Sequence, residues 1–464
     1  MLGAAGRRSF ALLALAALGV AVTSCSSSAS KSAAKTAPSS AATSPHPRAT
    51  PSSYAIGERA QTFVDAHRTT AANGSAPART SRTLVTTIFY PATGAPGGSA
   101  KTDAPADRAD GPYPFIVFAH GFGSTGEEYH GLLERWVAAG FVVAAPLFPL
   151  TNGHAAGGPD ASDYQNQPGD VSFVITSMLQ VSARSGPLSG LVDPNRIGAA
   201  GHSLGGITTL GLAANTCCHD ARVKAAIVFS GDSETFPHGR FDYSQAPPLM
   251  FVHGDADALV PYESSVDAFN QARGPKGLVT VIGGGHGSTV DPTAHAFASI
   301  VRATTDFFDA YVVGDTAAAG KIGGDAVSGA TRIVFDATAG SVVTVPTTAP
   351  PALPVHHASA TPTTGLANGQ SVSVNWSNYT PKKSVNIVEC SQPNGIDASA
   401  CDLKHAALLQ RDPTGTGSGS ISVVVGAVGT GQCDAAHSQC VIVVNDGGSL
   451  LPAASVRIPI SFAR

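Results

Sequence analysis

The stretch Gly201-His202-Ser203-Leu204-Gly205-Gly206 constrains this chain most, because it sets a serine in a glycine turn between two unlike elements. The preceding run, Arg196 to Ala200, reads as a short buried strand. The following run, Ile207 to Asn215, is small and apolar and reads as a helix. A strand, a sharp turn and a helix in that order lift a serine hydroxyl to the top of a sheet. Glycines at 201 and 205 allow a backbone approach that a Cβ would block. The helix N-terminus beneath Ser203 favours negative charge there. The alternative is a glycine-rich turn that merely contains a serine.

A serine hydroxyl needs a base, and the base needs an acid to orient it. On a sheet of this kind they follow in the order Ser, Asp, His, each on a loop after a strand. The loop His253-Gly254-Asp255-Ala256-Asp257-Ala258-Leu259-Val260-Pro261 leaves a strand ending at Val252, and it offers Asp255 and Asp257. His286 lies in Gly283-Gly284-Gly285-His286-Gly287, after a strand ending at Ile282. Asp232, after the preceding strand, is the fallback acid. The amide of Leu204, next after the serine, is one donor for an oxyanion. A second belongs to the loop His120-Gly121-Phe122-Gly123, which follows Phe115 to Ala119. His120 and His202 read as bracing side chains. The remaining histidines lack metal-ligand spacing, so no metal or cofactor is called for.

Around the elbow, strands and helices alternate from Arg82 onward, which signals a mostly parallel sheet with helices on both faces. Arg82 to Tyr90 reads as an edge strand. Tyr129, Leu132, Leu133, Trp136 and Val137 repeat at helical spacing as core, and Asp170 caps a helix through Val174 and Met178. The loop 146–169 borders the pocket, with Phe122, Phe148 and Leu150 as either acyl-site lining or core. The expected order is an export signal over 1–25, a Ser/Ala/Thr/Pro tether over 26–53, an α/β domain over 54–315 and a connector over 316–357. A β-rich domain over 358–464 ends the chain. Within the connector, the apolar runs 333–335 and 342–345 form a hairpin of either domain. Short alternating runs near 371–376, 385–388, 420–425, 441–444 and 456–461 make the last domain an antiparallel sandwich.

The N-terminus carries Arg7-Arg8, the apolar run Phe10 to Val22, and Val22-Thr23-Ser24-Cys25, a segment too short to span a bilayer as a stable helix. It resembles a bacterial lipobox, which implies diacylation of Cys25 and contact with a membrane through that anchor; Arg7-Arg8-Ser9-Phe10 also resembles a loose twin-arginine signal. Plain secretion with cleavage elsewhere is the alternative. The net charge of −4, without Lys/Arg clusters, argues against nucleic acid as a partner. Of the other six cysteines, Cys390, Cys401, Cys433 and Cys440 fall near the C-terminus as two close pairs and read as disulfides. Cys217 and Cys218 are adjacent. Their Cα atoms, ~3.8 Å apart, fall below the usual disulfide window, so both are expected as thiols.

Taken together, residues about 54–315 resemble an α/β-hydrolase of the chlorophyllase, platelet-activating-factor acetylhydrolase and dienelactone-hydrolase-like group. In that group the acid lies four residues before the proline of a His-Gly-x-x-Asp-x-x-Val-Pro loop. The resemblance therefore implies Asp257, leaving Asp255 to brace the loop, and it implies the Phe122 amide as the second oxyanion donor. Residues about 358–464 resemble the neocarzinostatin family of immunoglobulin-like sandwiches. The matching features are Pro362 to Leu366, Asn368-Gly369-Gln370, Val388-Glu389-Cys390, Cys401-Asp402-Leu403 and the Cys433 to Cys440 loop. That resemblance implies the bridges Cys390–Cys401 and Cys433–Cys440. Only Trp376, Tyr379 and Phe462 are aromatic there, which disfavours a stacking cleft for a chromophore and leaves the domain's ligand open. The expected activity is hydrolysis of a carboxylic ester. The alternatives are a serine peptidase or amidase on the same fold, and an inactive binding lipoprotein.

Overall fold

The computed structural model describes residues 54–340, 342–346, 356–379, 385–391, 400–402, 407–409, 415–429, 431–437, 439–446 and 455–463. Cys25, the export segment and the tether lie outside the described residues.

Ten strands form one sheet: β1 Ala55–Asp65, β2 Arg82–Ala92, β3 Lys101–Thr102, β4 Tyr113–Ala119, β5 Val142–Leu147, β6 Val192–His202, β7 Val223–Phe229, β8 Leu249–Gly254, β9 Lys276–Val281 and β10 Thr331–Asp336. Their order is β10-β9-β8-β7-β6-β4-β5-β2-β1-β3. The centre, from β5 through β4, β6, β7 and β8 to β9, is parallel. Helices α1 His130–Ala138, α2 Gln167–Ala183, α3 Leu204–Ala214, α4 Tyr262–Gln271 and α5 Phe297–Phe308 cover it. The continuous apolar run of β4 follows from burial on both faces. Phe115, Val117 and Ala119 join the core under α2, α3 and α4, while Ile116 and Phe118 join the core under α1 and α5.

Three expectations need correction. β2 is not an edge, for it pairs with both β1 and β5. The strand outside it, β1, escapes a hydropathy reading because its sequence AIGERAQTFVD carries polar residues on a solvent face. Asp170 caps nothing. Helix α2 begins three residues earlier, with Pro168 in its first turn, and the Asp170 carboxylate meets Arg82 and Arg68 instead. The sheet also runs past residue 315, since β10 pairs antiparallel with β9. Val345 belongs to the same body, exchanging hydrogen bonds with Asn270 on α4.

The C-terminal part is all β. Strands β11 His357–Thr361, β12 Ser371–Ser377, β13 Val385–Cys390, β14 Ala407–Leu409, β15 Gly417–Ser422, β16 Gly426–Val428, β17 Gly431–Cys433, β18 Val441–Asp446 and β19 Ser455–Pro459 form small antiparallel sheets. They enclose a separate core that includes Val374, Trp376, Ile387, Ile442 and Val444. The bridges Cys390–Cys401 and Cys433–Cys440 are present. Cys217 and Cys218 are bonded to each other, against the expectation of thiols: the two neighbours meet in the turn after α3 despite their short Cα separation. Disulfides fit an oxidising, extracytoplasmic compartment. Among the described residues no helix is long and apolar enough to cross a membrane.

Candidate active site

Ser203 stands between β6 and α3 with φ 58° and ψ −121°. That left-handed φ is uncommon for a residue with a Cβ and marks stored strain. Two glycines make it possible. A Cβ at Gly201 would run into the Gly205 carbonyl, and one at Gly205 into the Ala119 carbonyl at the end of β4. Ser203 is half-buried, and its amide donates to the Phe229 carbonyl on β7 at 2.9 Å.

Asp257 and His286 come together as expected. His286 Nδ1 lies 2.7 Å from Asp257 Oδ2. The other carboxylate oxygen accepts the amides of Leu259 and Val260 at 2.8 and 3.0 Å. Burial alone would raise the Asp257 pKa; hydrogen bonds from His253 and His286 outweigh it and hold the group well below the usual carboxylate range. Asp255 instead accepts the Gly283 amide at 2.6 Å, tying its loop to that of His286. The Asp232 carboxylate accepts the amide of its own neighbour, Ser233.

The His286 loop is fastened to the elbow by its backbone. The His286 carbonyl accepts from His202 Nε2 and Ser230 Oγ, each at 3.1 Å, and the His202 and His286 rings lie 4.8 Å apart. The base loop is thus tied to the residue beside Ser203, and among the described residues the serine hydroxyl makes no hydrogen bond to the imidazole. Contacts between nucleophile and base often tighten only once a substrate is seated.

The expected oxyanion loop packs directly on the elbow: a Cβ at Gly121 would lie 3.3 Å from Ser203 Cβ. Neither the Phe122 amide nor the Leu204 amide has an acceptor among the described residues, which leaves both free to donate. His120 is fully committed to shaping this loop. Its Nε2 accepts the Phe148 amide at 3.0 Å, so Nδ1 carries the proton given to the Gly121 carbonyl at 2.7 Å. Phe148 and Leu150 are core, whereas Phe122 is 37% exposed. The 146–169 loop grips the oxyanion loop through Gly123 to Thr151 and Gly153 to Ser124.

Sequence reasoning missed Tyr129, whose place in an apolar helical stripe suggested packing alone. Its hydroxyl accepts the Gly121 amide at 3.0 Å and donates to His202 Nδ1 at 3.1 Å. One relay thus joins Gly121, Tyr129, His202 and the His286 carbonyl, spanning the oxyanion loop, the elbow and the base loop. His253 was also missed; it shares Asp257 with His286.

Comparisons with known proteins place two regions of the chain among described families. Residues 102–231 match the Chlorophyllase family model, and residues 358–462 match the Neocarzinostatin family model. The chain therefore carries a chlorophyllase-like α/β-hydrolase region followed by a neocarzinostatin-family domain. A platelet-activating factor acetylhydrolase of Cavia porcellus is 22% identical over 232 residues, 42% of this chain and 52% of that protein. The chain thus spans about half the length of that relative. A solved ferulic acid esterase from Streptomyces cinnamoneus aligns at 23% identity over 56% of this chain and 90% of its own, with a TM-score of 0.42.

Proposed function

We propose that the chain is an extracytoplasmic serine hydrolase that cleaves carboxylic esters. One observation carries this reading: a serine strained at φ 58° on a strand–helix elbow, with an imidazole fixed by a carboxylate 2.7 Å away on the adjoining loop. Asp257 accepts from His286 Nδ1–H, so Nε2 is the nitrogen available as base. His286 takes the Ser203 proton as Oγ bonds to the ester carbonyl carbon. The amides of Phe122 and Leu204 hold the oxyanion, and the protonated imidazole gives its proton to the departing alcohol. Water, deprotonated by His286, then releases the acid and restores the serine. The matching relative is named as an acetylhydrolase, which supports acyl-ester chemistry.

A fluorophosphonate probe tests the assignment. Wild-type protein is expected to form a covalent adduct at Ser203, and Ser203→Ala none; a wild-type chain left unlabelled by the probe would sink the reading. Attachment to a membrane through Cys25 belongs to the same proposal. Detergent partitioning of wild type against Cys25→Ala checks it, and equal partitioning rejects the anchor.

A further inference from the structure

His253 lies at the end of β8, fully buried, where the sheet gives way to the loop of Asp257. Its Nε2 is 3.0 Å from the Val260 carbonyl and 3.1 Å from Asp257 Oδ2. A carbonyl can only accept, so Nε2 carries a proton and shares it between the two oxygens. Nδ1 meets Ser265 Oγ of α4 at 2.7 Å, and Tyr262 of the same helix stands edge-on to the ring at 5.9 Å. The imidazole is therefore held from both ends and from one side. Asp257 in turn receives four donors: two amides on Oδ1 and two imidazoles on Oδ2.

We propose that His253 is a positioning residue of the catalytic carboxylate: its Nε2–H fixes the Asp257 rotamer and draws off part of the negative charge that would otherwise fall on His286. The inference rests on the hydrolase reading above. Without His253 the oxygen facing the base would be held by His286 alone, the group that gains and loses a proton during the reaction; His253 supplies that oxygen with a second donor that stays in place, while the two amides hold the other oxygen. Charge shared with a second donor also stabilises protonated His286 less. The titratable groups facing His253 are Asp257 from its own loop and Tyr262 from α4; His286 lies across the shared carboxylate, and His202 stands on the elbow beyond it.

The test compares wild type, His253→Phe, His253→Gln and Ser265→Ala, each checked for folding by thermal melting. The rate of fluorophosphonate labelling is followed from pH 5 to 9. Losing one hydrogen bond to a charged group is expected to slow labelling about tenfold to a hundredfold in His253→Phe. Its acid limb is expected to move to higher pH, because the less shared carboxylate favours protonated His286. His253→Gln, which keeps an N–H donor, is expected to recover most of the rate. Ser265→Ala, which frees the ring but leaves the core filled, is expected to shift the limb in the same direction. A folded His253→Phe, or a folded Ser265→Ala if the former does not fold, with wild-type rate and profile overturns the proposal. A second readout does not depend on turnover: the low-field proton resonance of the Asp257–His286 bond is expected to move when His253 is replaced or freed. Absence of wild-type labelling counts against the hydrolase reading, whereas an unmoved resonance counts against His253.

Discussion

At the scale of single residues, the site is a set of hydrogen-bonding side chains, gathered about one buried carboxylate, that fix three loops against one another. Tyr129 is the joint most open to testing. Tyr129→Phe keeps the ring packing and removes the hydroxyl between Gly121 and His202. It is expected to lower kcat about tenfold with KM little changed, as for loss of one net hydrogen bond that aligns an oxyanion donor; kinetics on a p-nitrophenyl ester decides it. A second prediction concerns acid. Burial depresses the pKa of His120 to about 4 and that of His202 to about 3, whereas both revert to about 6.5 when unfolded. Between those values the unfolded chain binds more protons, so stability is fully present above pH 6.5. Below it, each histidine costs about 1.4 kcal/mol per pH unit. Urea denaturation at pH 7 and pH 5 measures this, and His120→Asn is expected to flatten the dependence by about one proton. Ser203 and His286 were marked locally in the sequence by glycine spacing and strand-end loops; the acid's loop left Asp255 and Asp257 open, and only the family resemblance singled out Asp257, which pairs with His286. Tyr129 and His253 were not legible. The hydroxyl of the first joins Gly121, eight residues upstream, to His202, 73 residues downstream, a pairing that no local pattern announces, and the second stands in a motif whose sequence does not say which carboxylate oxygen it meets.

At the scale of elements, the parallel centre of the sheet was readable because strands buried on both faces are continuous apolar runs. Its flanks were not. β1 and β10 carry mixed sequences and owe their places to pairing with β2 and β9. Charges buried between elements were equally silent. Arg82 at the start of β2 is 1% exposed and forks onto Asp163 at 2.7 Å and Asp170 at 2.6 Å, locking the segment before α2 to the sheet. Arg68 reinforces the same carboxylate from outside at 2.7 Å. Arg82→Met leaves two buried carboxylates without their main counter-ion and is expected to cost about 3–5 kcal/mol by chemical denaturation. The triple change Arg82→Met, Asp163→Leu, Asp170→Leu is expected to recover most of that loss, since an apolar replacement of a whole buried ion cluster is often neutral. A similar concealment applies to Lys276. Its ammonium is buried and donates to the carbonyls of Phe269 and Ala272 at the end of α4, both at 2.9 Å.

At the scale of the whole molecule, two kinds of fold share one chain, each with its own core. The sandwich strands were legible as short alternating runs, and their bridges as two nearby cysteine pairs. The Cys217–Cys218 bond was not, because chain geometry alone argues against joining neighbours. That bond has a practical consequence. Six of the seven cysteines in the sequence are consumed in three S–S links, which leaves Cys25 as the one cysteine outside them. Alkylation of denatured, unreduced protein with a maleimide then becomes a stoichiometric gauge of its fate. One equivalent taken up means that Cys25 is present and bare. None, together with an intact mass raised by a diacylglyceryl group, means that it is acylated, and none with a shortened unmodified chain means that it has been cut away.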